Sequence, residues 1–192
     1  MTLKRGFKTW CENAARGFRR ELGLDAHGPM DPMVLARHLK IRVWTPKDVP
    51  GLSQEHLHCL TMTEKECWSA LTMRDGNESL IIVNSGHSPA RVNNSLAHEL
   101  SHVILRHDPP RMMQSFDGGM IMTDYDPTQE EEAGTLGGAL LVPRDALMRL
   151  IDVGTPEQEM ADFFGVSTAL IRERKNKTGI GIQLARRGTW RP

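Results

Sequence analysis

The pattern His98-Glu99-x-x-His102 constrains this chain more than any other stretch. Residues four apart on a helix project from one face, so the two imidazoles reach a common point only if the segment is helical. Neutral imidazole suits zinc, and two His with one carboxylate leave a coordination position open for water. Glu99 stands about 100° round the helix from His98, near enough to serve such a water without being aimed as a ligand. A carboxylate beside an activated water is general-base chemistry for hydrolysis. The sequence also supplies the helix that the pattern needs. Leu96, Leu100, Val103 and Ile104 share an apolar face, and Asp108-Pro109-Pro110 stops the segment, so a helix is predicted over 90–107. His107, five residues past His102, falls off the ligand face and is expected to be structural or exposed.

A third ligand must come from elsewhere. A helix is predicted over 128–142, with Thr128 and Glu131 as a capping box and Pro143 as its end. Leu136, Ala139 and Leu140 define its buried face. Glu132 lies four residues before Leu136 on that stripe, and an inward carboxylate is costly unless paired or bound to a metal. Glu132 is therefore the expected third zinc ligand. Glu130 and Glu131 are expected to serve the helix N-terminus. Gly134, Gly137 and Gly138 each cost about 1 kcal/mol relative to Ala in a helix. Close packing against the motif helix accounts for them.

The remaining elements frame this pair. Trp10, Ala14, Phe18 and Leu22, with Ala15, give a first helix over 9–22 whose Arg and Glu residues face away from the core. Asp31-Pro32 caps a second helix. Strands are predicted at 41–44, 60–63, 68–73 and 80–84, the last two joined by the hairpin residues Asp75-Gly76-Asn77. Residues 111–127 read as a long link, rich in Met, beside the cleft. Strands in a row with helices on either side give an α+β class: a small mixed or antiparallel sheet with packed helices.

With 24 basic and 24 acidic residues, the chain has no global attraction for nucleic acid or an anionic membrane. Its apolar runs are too short to span a bilayer, and no apolar stretch follows the early positive charges as a signal peptide requires. Cys11, Cys59 and Cys67 match no usual zinc spacing, and free thiols suit a cytoplasmic location. The chain divides at 143/144, a metal-site domain over 1–143 followed by a helical segment over 144–192. In that segment Ala161, Gly165 and Ile171 have helix-turn-helix spacing, with Gly165-Val166-Ser167 as the turn. Nine Lys or Arg against six Asp or Glu is a modest excess. A compact cap on the core is favoured over a DNA-binding module.

Taken together, Ile81-Ile-Val-Asn84, Arg91, the His98-to-His102 motif and the run from Glu132 to Pro143 resemble the ImmA/IrrE family of metallo-endopeptidases. Phe163-Phe-Gly-Val-Ser167, Arg172 and Thr178-Gly179 extend the likeness over 32–179. The family usually has Asn after Glu-Ala and Phe-Ala further on, where this chain has Gly134 and Leu136-Gly137. The resemblance implies a zincin-like fold, Zn2+ held by His98, His102 and Glu132, and Glu99 as catalytic base. It also implies a protein substrate, a transcriptional repressor of the helix-turn-helix type. The alternative is a non-catalytic protease-fold regulator that binds a repressor or DNA through its C-terminal segment. For the second stabiliser of a tetrahedral oxyanion, Tyr125, His107, His87 and Arg91 are the candidates.

Overall fold

The computed structural model describes residues 3–76, 78–108, 111–114, 120–123 and 126–189. It has the expected α+β class. Helix α1 spans Phe7–Glu21 and α2 Pro32–His38; α2 starts where Asp31 Oδ1 accepts from the Met33 amide at 2.8 Å. Strands β1 (Arg42–Trp44), β2 (Ala70–Asp75) and β3 (Glu78–Val83) form one sheet in the order β1-β3-β2. β1 runs parallel to β3 and β2 antiparallel to it, so the sheet is mixed and β2 is an edge. Gly76, with φ of 56°, takes the left-handed backbone conformation of the β2–β3 turn, whereas Asn77 lies outside the described residues.

Residues 60–63 are not the expected strand. After the short helix α3 (Gln54–His58), Cys59–Thr63 coils as one π-helical turn closed by Glu64 N–H to Cys59 O at 2.8 Å. Tertiary contacts override its β-propensity. Buried Asn84 donates to the carbonyls of Leu60, Lys65 and Trp68, and the Trp68 indole also donates to Leu60 O. A strand could not present those carbonyls to one side chain.

Helix α4, Pro89–Leu105, carries the motif. Ser88 caps it, Pro89 occupies its first position, and Arg106 ends it in the left-handed region with φ of 57°. The stop thus falls before Pro109. Leu96 and Leu100 are fully buried with Ile81, Leu35, Leu136 and Leu140, and each such side chain contributes about 1.5–3 kcal/mol by leaving water. The expected link contains a second sheet, an antiparallel hairpin of β4 (Arg111–Gln114) and β5 (Met120–Thr123) that pairs Arg111 with Thr123.

Helix α5, Pro127–Leu141, packs across α4. Its cap is Asp126, which accepts from the Thr128 amide at 2.8 Å, and not the expected Thr128 box. Of its glycines, Gly137 alone answers to close approach of α4: a Cβ there meets Ala97 O at 3.2 Å and His98 N at 3.3 Å. A Cβ on Gly138 meets Arg174 Cδ at 2.8 Å, and one on Gly134 has only Lys177 Nζ at 4.0 Å.

The buried stripe of α1 is turned by one residue from expectation, to Cys11, Ala15 and Arg19, while Trp10 is 46% exposed and stacks on Phe7. Arg19 is wholly buried because carbonyls satisfy its guanidinium: Leu140 O at 2.8 Å, Gly28 O at 3.1 Å and Ala15 O at 3.3 Å. Burial pulls its pKa down to about 10, still charged at neutral pH. Arg19→Ala is expected to destabilise the fold by about 2–4 kcal/mol, since it orphans buried carbonyls and opens a cavity. A shift in the urea midpoint at constant slope measures this.

Helices α6 (Arg144–Asp152), α7 (Glu157–Phe164), α8 (Thr168–Thr178) and α9 (Ile180–Thr189) follow. Gly165 and the Ser167 cap turn α7 into α8 as the helix-turn-helix spacing predicts. Leu147, Met160, Phe164, Leu170, Ile171 and Ile180 share a core with Ala97, Leu141 and Val142. Arg174 of α8 is buried, donates to Val142 O at 2.9 Å and pairs with Glu12 of α1. The segment packs as a cap on the back of α4 and α5.

Candidate metal centre

His98 and His102 stand one turn apart on α4, at the mouth of a cleft of about 140 Å3. The cleft runs between α4 and edge strand β2, and Ala70, Leu71, Thr72 and Arg74 line its strand side. The two Nε2 atoms are 3.0 Å apart. A carboxylate from α5 closes the group, with Oε2 at 3.1 Å from His98 Nε2 and Oε1 at 3.4 Å from His102 Nε2. Ligand bonds of about 2.0–2.1 Å at tetrahedral angles separate donor atoms by roughly 3.3 Å. The three donors therefore have the chemistry and the spacing to hold one metal ion, and among the described residues they form the one such group.

That carboxylate belongs to Glu130. Glu132, expected there, turns to the other side, with Oε2 at 3.2 Å from His107 Nε2. The reason is helix phase. Gly137 sets the line along which α5 touches α4, and Glu130 lies seven residues before it, within about 20° of the same line. Glu132 belongs to the stripe of Leu136 and Leu140, which faces the main core. The sequence held a signal for Glu130, namely the close-packing role of the glycines, but not which glycine set the contact.

His107 is also brought in against expectation. The left-handed turn at Arg106 folds the chain back, so that His107 N–H reaches His102 O at 3.0 Å. The His107 ring is 8% exposed and meets the His102 ring edge-to-face, with the two Nδ1 atoms 3.0 Å apart. Burial first, then the neighbouring His98 and His107, push the His102 pKa down to about 4. His102 is thus neutral at neutral pH, which is the form that binds metal.

Glu99 projects into the cleft beside this group, as its position on the helix requires. The Thr72 hydroxyl of β2 donates a hydrogen bond to Glu99 Oε2. Burial raises the Glu99 pKa and Glu130 adds to this, while the Thr72 hydrogen bond and His98 oppose it. A carboxylate raised from its ordinary value is a better proton acceptor near neutral pH.

The other candidates stand apart. His87 Nε2 is 3.0 Å from Trp68 O, and Arg91 pairs with Glu66 and donates to Ser69 Oγ. Neither lines the cleft. Tyr125 lies outside the described residues. Cys11, Cys59 and Cys67 are free, and burial pushes the Cys11 thiol up to about 12, which leaves it protonated and inert. No helix among the described residues is long and apolar enough to cross a membrane.

Comparison with known proteins places this geometry. The sequence pattern of peptidase family M78, described as the IrrE N-terminal-like domain, matches residues 55–176. That stretch holds β2, β3, the motif helix and α5, and the chain belongs to this family of metallopeptidase-like proteins. No curated protein matches significantly. Among solved structures, a Mycobacterium tuberculosis transcriptional regulator superposes with a TM-score of 0.51 at 15% identity, over 84% of this chain and 44% of that one. The likeness is one of fold, and the chain spans less than half the length of that protein.

Proposed function

We propose that this chain is a zinc-dependent metallo-endopeptidase whose substrate is a protein of the helix-turn-helix repressor type. The observation that carries the reading is a basic carboxylate, Glu99, held at the side of a two-His, one-carboxylate donor set in an open cleft. Family membership supports the same chemistry. His98, His102 and Glu130 hold the ion, and Zn2+ in such a site supplies Lewis-acid polarisation of a carbonyl and of water. Glu99 accepts the proton of the attacking water and returns it to the leaving amine, and Thr72 fixes the carboxylate for both transfers. Among the described residues strand β2 is an edge strand along the cleft, so an extended peptide can pair with it and lay its scissile bond over the ligands.

A second reading, a non-catalytic regulator, draws on the fold shared with a transcriptional regulator. Its DNA-binding form is disfavoured by the pairing of the basic residues it would use. Arg174 is buried against Glu12, and Arg172 and Lys175 both pair with Glu157. Zinc content and mass spectrometry separate the readings. The purified chain is expected to take up one zinc and to generate new termini in at least one of a panel of purified helix-turn-helix repressors. Removal of zinc by a chelator should stop this and added zinc restore it. A fully loaded chain that binds a repressor without cutting it would establish the regulator instead.

A further inference from the structure

We infer that His107 and Glu132 form a positioning relay that sets the tautomer of His102 and turns its Nε2 lone pair toward the metal. The inference rests on the metal-site reading above.

The contacts run in one line. Glu132 Oε2 lies 3.2 Å from His107 Nε2, His107 Nδ1 lies 3.0 Å from His102 Nδ1, and His102 Nε2 meets His98 and Glu130. For a neutral His107 beside an ionised Glu132, the chemistry of each group sets where the protons sit. A carboxylate only accepts, so His107 carries its proton on Nε2 and donates it to Glu132. His107 Nδ1 is then an acceptor, and two nitrogens 3.0 Å apart need one proton between them. That proton sits on His102 Nδ1. His102 Nε2 is consequently bare and faces the donor group. A metal-bound imidazole usually donates its second N–H to a carboxylate or carbonyl, which orients the ring and raises its basicity. Here an intervening imidazole passes that role to Glu132.

The surroundings make the relay effective. The side chains of His107 and Glu132 are 7% and 16% exposed, so water competes little for their hydrogen bonds. The left-handed turn at Arg106 exists at the one place that brings His107 behind His102. Glu132, just over half a helical turn from Glu130, reaches His107, the ring that stands behind the imidazole Glu130 meets in front. The two carboxylates thus divide the work: one touches the ion and the other acts through two rings.

Two measurements test this. Long-range 1H–15N correlation on the wild-type chain with zinc should show His107 as its Nε2–H tautomer and His102 protonated on Nδ1. A proton on His107 Nδ1 overturns the relay without any substitution, so a variant that fails to fold does not protect the proposal. Competition for Zn2+ with a chromophoric chelator should show about 10–100-fold weaker binding for His107→Ala, and a smaller loss for the isosteric Glu132→Gln. The visible spectrum of Co2+ in the site should shift in both variants. Unchanged zinc affinity and an unchanged Co2+ spectrum in a folded His107→Ala chain overturn the relay alone. A wild-type chain that takes up no zinc removes the metal-site reading itself, a separate result.

Discussion

Glu99→Gln should retain one zinc per chain and lose peptide cleavage by about 10²–10⁴-fold, the range that general acid–base groups supply. The amide has the size of the carboxylate and still accepts the Thr72 hydroxyl, so the cleft keeps its shape. What it lacks is basicity. Glu99 is partly buried in the cleft wall and that burial raises its proton affinity, so the loss is expected at the proton transfer. Single-turnover rates with zinc-loaded protein and a cleavable repressor check the result. A drop in the chemical step with unchanged substrate affinity is expected, because the group acts in the transition state more than in binding. A variant that cuts at the wild-type rate removes Glu99 as base.

The second large effect separates two neighbouring carboxylates. Glu130→Ala is expected to weaken Zn2+ binding by more than the roughly 10–100-fold that outer partners cost, because it removes a ligand atom and leaves two imidazoles. Metal content after dialysis against a weak chelator reads this directly, with His98→Ala as the reference for loss of one ligand. Glu132→Gln in the same assay should keep most of its zinc. The reverse ranking would make Glu132 the ligand, as the buried stripe of its helix suggests on sequence alone, and would require α5 to turn on its axis. Gly137 argues against that turn, since its Cα already lies against the α4 backbone.

Much of the centre was legible before any fold was known. The pairing of His98 with His102 and the lateral place of Glu99 follow from 3.6 residues per turn in a helix expected over 90–107 and found over Pro89–Leu105. Three of the four expected strands, the cap at Asp31 and the turn at Gly165 are equally local. The errors share a cause. Residues 60–63 have strand composition but coil, with the Leu60 carbonyl taken by both Asn84 and Trp68. Arg19 looked like a solvent-facing charge and is buried because carbonyls from three separate places converge on it.

The sequence by itself determined that two imidazoles and a carboxylate share one helix, because those relations lie within two turns of a single backbone. Only the tertiary structure decided that Glu130 completes the donor group and that Glu132 stands behind it with His107. The phase of one helix against another depends on side-chain packing along their whole contact, here on one glycine pressed against Ala97 and His98. The return of His107 depends on one backbone angle at Arg106. Neither quantity is written in the periodicity of its own segment.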